Sequence, residues 1–365
     1  MYLPQFHETE DNNKWWGQGY TEWNAVKGSK KYFNKHMQPR VPLNNNYYDL
    51  SLESGEVLRW QAKLARKYGI YGFCIYHYWF GGKKELERPA EILLACKDID
   101  INYSFCWDGA TWRRTWYTTE YESEILIQQD YGQVEMWRKH FNDLLPYFKD
   151  ERYIKKDNKP VFHIYHASDM TCLVEMKDCW NTLAKENGFK GIYFVVGDFK
   201  GRELAHVKEA ADAYYNFEPN HAFYEGRYKH YVINSVARAG VIKRINKWFN
   251  KKFLPDIRDA KGMYKLIEQV SKKQKGSKKE FLGIFPDYDD TPRRQLKGVV
   301  YSNNKIEYFK KCLRAQLKES LQRNNEFLYI NAWNEWGESA YLEPDDVHGY
   351  DYLETIRQVL NEEIG

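Results

Sequence analysis

Two carboxylates three residues apart, Glu335 and Glu338, lie in the run Asn331-Ala332-Trp333-Asn334-Glu335-Trp336-Gly337-Glu338, directly after an apolar stretch and among indole rings. Such a pair suits glycosidic-bond chemistry, in which one carboxylate is general base or nucleophile and the other general acid. Neighbouring rings would raise the pKa of the acid by excluding water. In an extended strand, positions i and i+3 point to opposite faces, so the two can converge only if the chain turns after the strand, and Gly337 eases that turn. The competing reading of the same spacing is an exposed Asn-Glu turn capping a helix.

The elements that must position such a pair are legible as eight apolar or aromatic runs. They are Tyr2 to Phe6, Gly69 to Tyr76, Ile101 to Trp107, Pro160 to Tyr165, Gly191 to Val196, Ala213 to Phe217, Phe281 to Phe285 and Phe327 to Trp333. Helix-period segments separate most of them, among them Glu53 to Lys67, Val134 to Phe148, Cys172 to Asn187 and Ile306 to Arg323. Near-continuous apolar strands alternating with helices predict an α/β fold, a (β/α)8 TIM barrel whose parallel strands are buried on both faces.

In that fold the active site forms where strands end, so the residues after each run become candidates. His7, Trp15, Trp16 and Glu22 follow the first run, His77, Tyr78 and Trp79 the second, Trp107, Asp108 and Trp112 the third, and His166 the fourth. Asp198, Glu218, Asp287 and Asp289 follow later runs, and Asn334 and Trp336 flank the carboxylate pair. An aromatic share of 17%, with 30 Tyr and 13 Trp, exceeds what a core needs and points to a groove whose ring faces stack on sugars.

Other chemistries lose support. No G-x-G-x-x-G, Walker P-loop, H-E-x-x-H, G-x-S-x-G or cysteine-rich zinc spacing occurs, and His163 with His166 reads as packing or substrate hydrogen bonding. Neither a metal nor a cofactor is expected. The six cysteines include no C-x-x-C pair and fit a reduced compartment. No apolar stretch approaches the roughly 20 residues that span a bilayer, and nothing directs export, so the expected location is cytoplasmic. Because Met1 is followed at once by what reads as the later part of a strand, further residues upstream are expected.

Residues 227–279 depart from the pattern, with 16 Lys and Arg against Asp256, Asp259 and Glu268, a local charge of +13. Ile233, Val236, Val241, Ile245, Trp248, Phe249 and Phe253 recur there at near-helical spacing. A helical, basic insertion between the sixth and seventh strands, at about 220–279, is therefore expected within one domain spanning 1–365. It suits peripheral contact with an anionic membrane or an acidic or lipid-linked glycan, the alternative being a solvated lid. Nucleic acid is not an expected partner, since the charge is local and no recognition motif accompanies it.

Several ordered blocks carry a family resemblance: Tyr2-Leu3-Pro4-Gln5-Phe6-His7, Trp15 to Trp23, Tyr68 to Phe73 with His77-Tyr78-Trp79-Phe80, Asp289-Asp290-Thr291-Pro292-Arg293-Arg294, and Asn331 to Glu338 with Leu342-Glu343-Pro344-Asp345. Through them the chain resembles, nearly end to end, the WbsX-like proteins of bacterial polysaccharide biosynthesis, related to glycoside hydrolase family 99. That resemblance implies a (β/α)8 barrel and, from the retaining endo-α-mannosidases of family 99, two catalytic glutamates at Glu335 and Glu338. It implies that Glu335 deprotonates the sugar 2-hydroxyl to form a 1,2-anhydro sugar, and that Glu338 protonates the leaving oxygen and then activates water or an acceptor. Where many WbsX-like members read Trp-Ala-Asn-Glu and then Asn-Trp, this chain has Trp107-Asp108-Gly109-Ala110-Thr111-Trp112. Either Asp108 substitutes, or the subsite takes another sugar, or turnover is lost. The expected activity is cleavage or transfer of α-linked sugars in surface polysaccharide or O-antigen assembly. The rivals are a WbsX-type glycosyltransferase with an activated donor and a noncatalytic glycan-binding protein.

Overall fold

The computed structural model describes residues 1–114, 124–197, 200–226, 254–273 and 279–365, with the single positions 241, 244 and 248. All eight apolar runs lie side by side in one ring. Residues 1–5 are its first member: Tyr2 N donates to Cys74 O (2.8 Å), Tyr76 N to Tyr2 O (3.0 Å) and Trp333 N to Met1 O (2.8 Å), and Met1 N donates to Ile330 O (2.9 Å). From there Gly72–Phe80, Asn102–Trp107, Lys159–Ile164, Tyr193–Val196, Ala213–Tyr215 and Lys279–Phe281 pair in parallel in chain order. Gly283–Ile284 continues the last of these and pairs in parallel with Tyr329–Ile330, whose end bonds back to Met1. A ring that returns to its start leaves no unpaired strand edge.

Among the described residues one outer helix follows each strand: Glu56–Lys67, Arg88–Ala95, Val134–Lys149, Leu173–Glu186, Ala205–Ala210, Ala260–Ser271, Ile306–Gln322 and Asp351–Glu363. Their inner faces obey the helical period. In Glu56–Lys67 the buried residues are Leu58, Gln61, Ala62, Leu64 and Ala65, with glutamate at the first turn and Arg66 and Lys67 at the last, where they complement the helix dipole. The strand Gly72–Phe80 is buried along most of its length, as a parallel strand between barrel interior and helix layer must be.

The connection between the sixth and seventh strands contains part of the expected basic insertion. Asp256–Asp259 pairs in parallel with Val299–Ser302 outside the ring, and Asp259 caps Ala260–Ser271 by accepting from Gly262 N at 2.9 Å. That helix takes the sixth ring position, tied to Ile306–Gln322 by Gln316 Nε2 donating to Ser271 Oγ (2.9 Å). The apolar series from Ile233 to Phe253 falls outside the described residues except for Val241 and Trp248, both exposed. Asp198 also lies outside them. No helix among the described residues is long and apolar enough to cross a membrane.

Candidate active site

After the eighth strand the chain folds into a hairpin. Asn334–Glu335 pairs antiparallel with Ala340–Tyr341, and the tip, Trp336–Glu338, is a single 3-10 turn. Residues three apart eclipse one another in that geometry, so the turn brings Glu335 and Glu338 to one side, as their spacing requires. The hairpin is clamped at several points. Asn334 accepts from Leu3 N (2.7 Å) and donates to Leu3 O (2.9 Å), which fixes the eighth strand's end to the first. Glu343, buried, receives Trp336 Nε1 (2.7 Å), Trp333 Nε1 (3.0 Å), Gln61 Nε2 (2.7 Å) and the Tyr48 hydroxyl (2.9 Å). Among the described residues four donors and no cation hold this carboxylate, and burial pushes its pKa up to about 7. Gly337 is required by close approach: a Cβ there would overlap Glu22 Oε1 and crowd Arg293 Nε.

Arg293, in the short helix Thr291–Arg294, organises the charges. Its Nε donates to Glu22 Oε1 (2.7 Å), Nη2 to Glu335 Oε2 (2.8 Å) and Nη1 to Glu338 Oε1 (2.9 Å), so one guanidinium joins both members of the pair to a third carboxylate. Burial pushes Glu335 up to about 8 against the pull of Arg293, with Glu338 and Glu22 adding like charge. Burial likewise raises Glu22, which is fully inaccessible, and its Oε2 has no partner among the described residues. Glu338 is the more exposed of the pair, its side chain 21% accessible against 7% for Glu335.

A cavity of about 400 Å³ opens over Glu335 and Glu338. Its wall takes Trp15 and Trp16 from the helix Glu10–Trp16, Tyr76 and Tyr78 from the second strand, Asp108 and Trp112 after the third, Tyr165 after the fourth and Tyr288 after the seventh. Trp112 stands edge-on to Trp15 (5.9 Å), Tyr78 (5.0 Å) and Phe80 (5.2 Å), which leaves ring surface and Tyr hydroxyls together, the combination that sugars engage. Burial also raises Asp108, whose Oδ1 accepts from Ala110 N (3.2 Å). Among the described residues no group of three or more His, Cys, Asp or Glu is arranged to hold a metal ion.

Of the sequence candidates, the structure therefore gathers Glu335, Glu338, Trp15, Trp16, Tyr78, Asp108 and Trp112 at the cavity, and it places the others elsewhere. His77, Trp79 and Trp107 turn outward onto the helix Val134–Lys149: His77 Nε2 lies 2.8 Å from His140 Nε2, Trp79 stacks on His140 at 4.2 Å and donates to Asp143, and Trp107 meets His140 edge-on at 4.8 Å. Burial lowers His77 to about 3 and keeps both imidazoles neutral. His7 is buried and off the cavity, its place in the wall taken by Leu3 and Gln5. Glu22 acts on the cavity through Arg293. His166 is exposed beside Tyr165, outside the wall. Asp289 is a strut, accepting from Gln38 (2.8 Å) and Thr291 Oγ1 (2.6 Å) and pairing with His36 (2.7 Å). Asn334 clamps strands, and Trp336 stacks on Tyr341 at 3.7 Å under Glu343. Arg293, Tyr76, Tyr165 and Tyr288 were not singled out from sequence. For Arg293 the signal was the Asp289 to Arg294 block, which carried no role of its own.

The strands' C-terminal ends of this closed parallel barrel thus carry a pair of carboxylates beneath an aromatic wall. The family model of glycosyltransferase WbsX matches residues 1–356, and the chain belongs to that family. It is 29% identical over 364 residues to the uncharacterized protein WxcX of two strains of Xanthomonas campestris pv. campestris, covering 99% of this chain and 49% of theirs, so it spans about half the length of the curated relatives it matches. The fold is similar to that of a glycoside hydrolase family 99 endo-alpha-mannosidase from Bacteroides thetaiotaomicron in complex with Bis-Tris-propane, with a TM-score of 0.58, 14% identity and coverage of 99% of this chain and 95% of that one. A glycoside hydrolase-like protein matches with a TM-score of 0.53 and 14% identity over 88% of this chain and 89% of its own.

Proposed function

We propose that this barrel cleaves or transfers α-linked, mannose-like sugars with retention of configuration, Glu335 serving as base and Glu338 as acid. Glu335 takes the proton of the sugar 2-hydroxyl as that oxygen attacks C1, and the C1–O bond to the leaving group breaks while Glu338 protonates the departing oxygen. Glu338, then ionised, takes a proton from water or an acceptor hydroxyl that opens the 1,2-anhydro sugar at C1, and Glu335 returns its proton to O2. Two inversions at C1 retain the configuration. The observation that carries this reading is the convergence of both carboxylates on one cavity and one guanidinium. Against the burial that raises Glu335, Arg293 draws it back toward the ionised form a base needs.

The family's description as a glycosyltransferase favours transfer to a sugar acceptor as the second reading of the same site. A panel of α-linked oligosaccharides, scored by NMR for cleaved and transferred products and for anomeric configuration, tests both. Retained products support the mechanism, inverted products contradict it, and normal glycan affinity without turnover favours a binding protein. A thermal shift with nucleotide sugars would instead favour an activated donor.

The substrate is proposed to be an oligosaccharide or lipid-linked glycan of surface polysaccharide assembly, handled in the cytoplasm by one domain. Residues 227–279, with their charge of +13, would hold the enzyme at an anionic membrane. Binding to anionic liposomes at low salt, released above about 0.3 M salt by screening, is the expected result. No liposome binding at either salt would remove the membrane proposal.

A further inference from the structure

Three arginines line the catalytic cavity, Arg113, Arg293 and Arg294, and they are not equivalent. Arg293 is committed to Glu22, Glu335 and Glu338 through each of its three nitrogens. Arg294 has one ion pair among the described residues, Nε to Asp290 Oδ2 at 3.3 Å, and its side chain is 55% exposed. Asp290 has other reasons to be where it is: Oδ1 accepts from Val299 N at 2.6 Å, the Tyr288 hydroxyl lies 3.5 Å from Oδ2, and burial pushes its pKa up to about 7. At the cavity wall, the terminal nitrogens of Arg294 thus make no ion pair among the described residues. Arg294 also lies within electrostatic reach of Glu338, the carboxylate that faces the leaving group.

Arg113 is exposed on the hairpin strand Trp112–Arg113, and no carboxylate partners it among the described residues. The contrast with its neighbour is informative. Arg114 bonds Glu124 (2.8 Å) and Trp15 O (2.7 Å) and lies 5.0 Å over the Trp16 ring, so it braces the aromatic wall. Arg113 has no such task among the described residues.

Neutral sugars are bound well by rings, hydroxyls and amides, and a guanidinium facing them loses hydration with little return. The planar fork of arginine matches a carboxylate or phosphate with two parallel hydrogen bonds. We propose that the glycan taken by this cavity is acidic, carrying a carboxylate or phosphate on the Glu338 side of the scissile bond where Arg294 reads it, with Arg113 adding attraction at the rim. This deepens the reading of the cavity as a glycan site and rests on it.

The test uses the Glu335→Gln/Glu338→Gln protein, which reads binding without turnover. Calorimetry compares three α-linked oligosaccharides of equal length: neutral, with one uronic acid, and with one sugar phosphate. At least one acidic ligand should bind on the order of tenfold tighter than the neutral one, as a charge-assisted pair of hydrogen bonds provides. The stronger of the two acidic arms identifies the anion. Adding Arg294→Gln should bring the acidic and neutral affinities together, Arg294→Lys should restore only part of the preference, and salt should weaken the acidic ligand alone. Equal affinity for all three ligands, or a preference that survives both Arg294→Gln and Arg113→Gln in proteins of unchanged melting temperature, overturns the proposal and leaves the glycan site standing. Binding of none of the three sinks the glycan reading and this inference with it.

Discussion

Within the strand Gly72–Phe80, adjacent residues serve two different regions. Tyr76 and Tyr78 line the cavity over the glutamates, whereas His77 and Trp79 lie against His140 on the helix Val134–Lys149. Both sets are aromatic or heteroaromatic, and both sit at the strand's C-terminal end. Only the two-residue period of the strand separates them. The inward set borders the cavity, while the outward set forms a buried layer with Trp107, Phe162 and Trp180 around a neutral imidazole pair. Proximity to a strand end is therefore necessary for a place in the site and not sufficient.

The widest separation between the regions should appear in stability. Trp79→Ala or Trp107→Ala opens a void in the buried layer and should cost about 3–5 kcal/mol in denaturant unfolding. Trp16→Ala and Trp112→Ala should leave the unfolding midpoint much closer to that of the parent. If the outward pair unfolds no more easily than the inward pair, the division of the strand ends is wrong.

Arg293→Met joins the regions, since it strips the shared cation from Glu22, Glu335 and Glu338. Breaking a buried pair in this way costs about 3–5 kcal/mol, and protonation of the carboxylates offsets part of it. The variant should be markedly more stable at pH 5 than at pH 8, and a pH-independent loss would show that Arg293 is held by packing alone.

The intact protein has a related dependence. Glu335 at about 8, and Glu343 and Asp290 at about 7, bind protons more tightly folded than unfolded. Their stabilising contribution is complete below the ordinary carboxylate range and is lost as pH rises through about 7 to 8. The melting temperature should fall from pH 6 to pH 9, and Glu335→Gln should flatten that slope.

The smallest effect belongs to the inward rings. Trp16→Ala or Trp112→Ala should weaken glycan binding by about 1 kcal/mol through lost stacking area. Unchanged affinity would assign these rings to the rim's packing.

Much of this was legible in the chain. Eight apolar runs announced eight strands because parallel barrel strands are buried on both faces, and the spacing of Glu335, Gly337 and Glu338 required the turn that the 3-10 geometry supplies. What stayed hidden depended on side-chain direction and on partners far apart in sequence. A run of alternating rings such as Tyr76 to Trp79 does not say which face is inward. Glu22 and Arg293 are 271 residues apart, and no local pattern reports that one orders the other. Asp289 and Asn334 looked like site residues for the same reason, since a buried polar strut and a substrate contact have the same composition.

The central claim is that Glu335 and Glu338 are the acid-base pair of a glycan-active cavity, and the most direct test is the turnover of Glu335→Gln and Glu338→Gln on a glycan the parent processes, measured with their melting temperatures. Each variant should lose at least about a hundredfold in rate, the size of a general acid or base contribution, while remaining folded. Near-parental turnover in both folded variants would contradict the account.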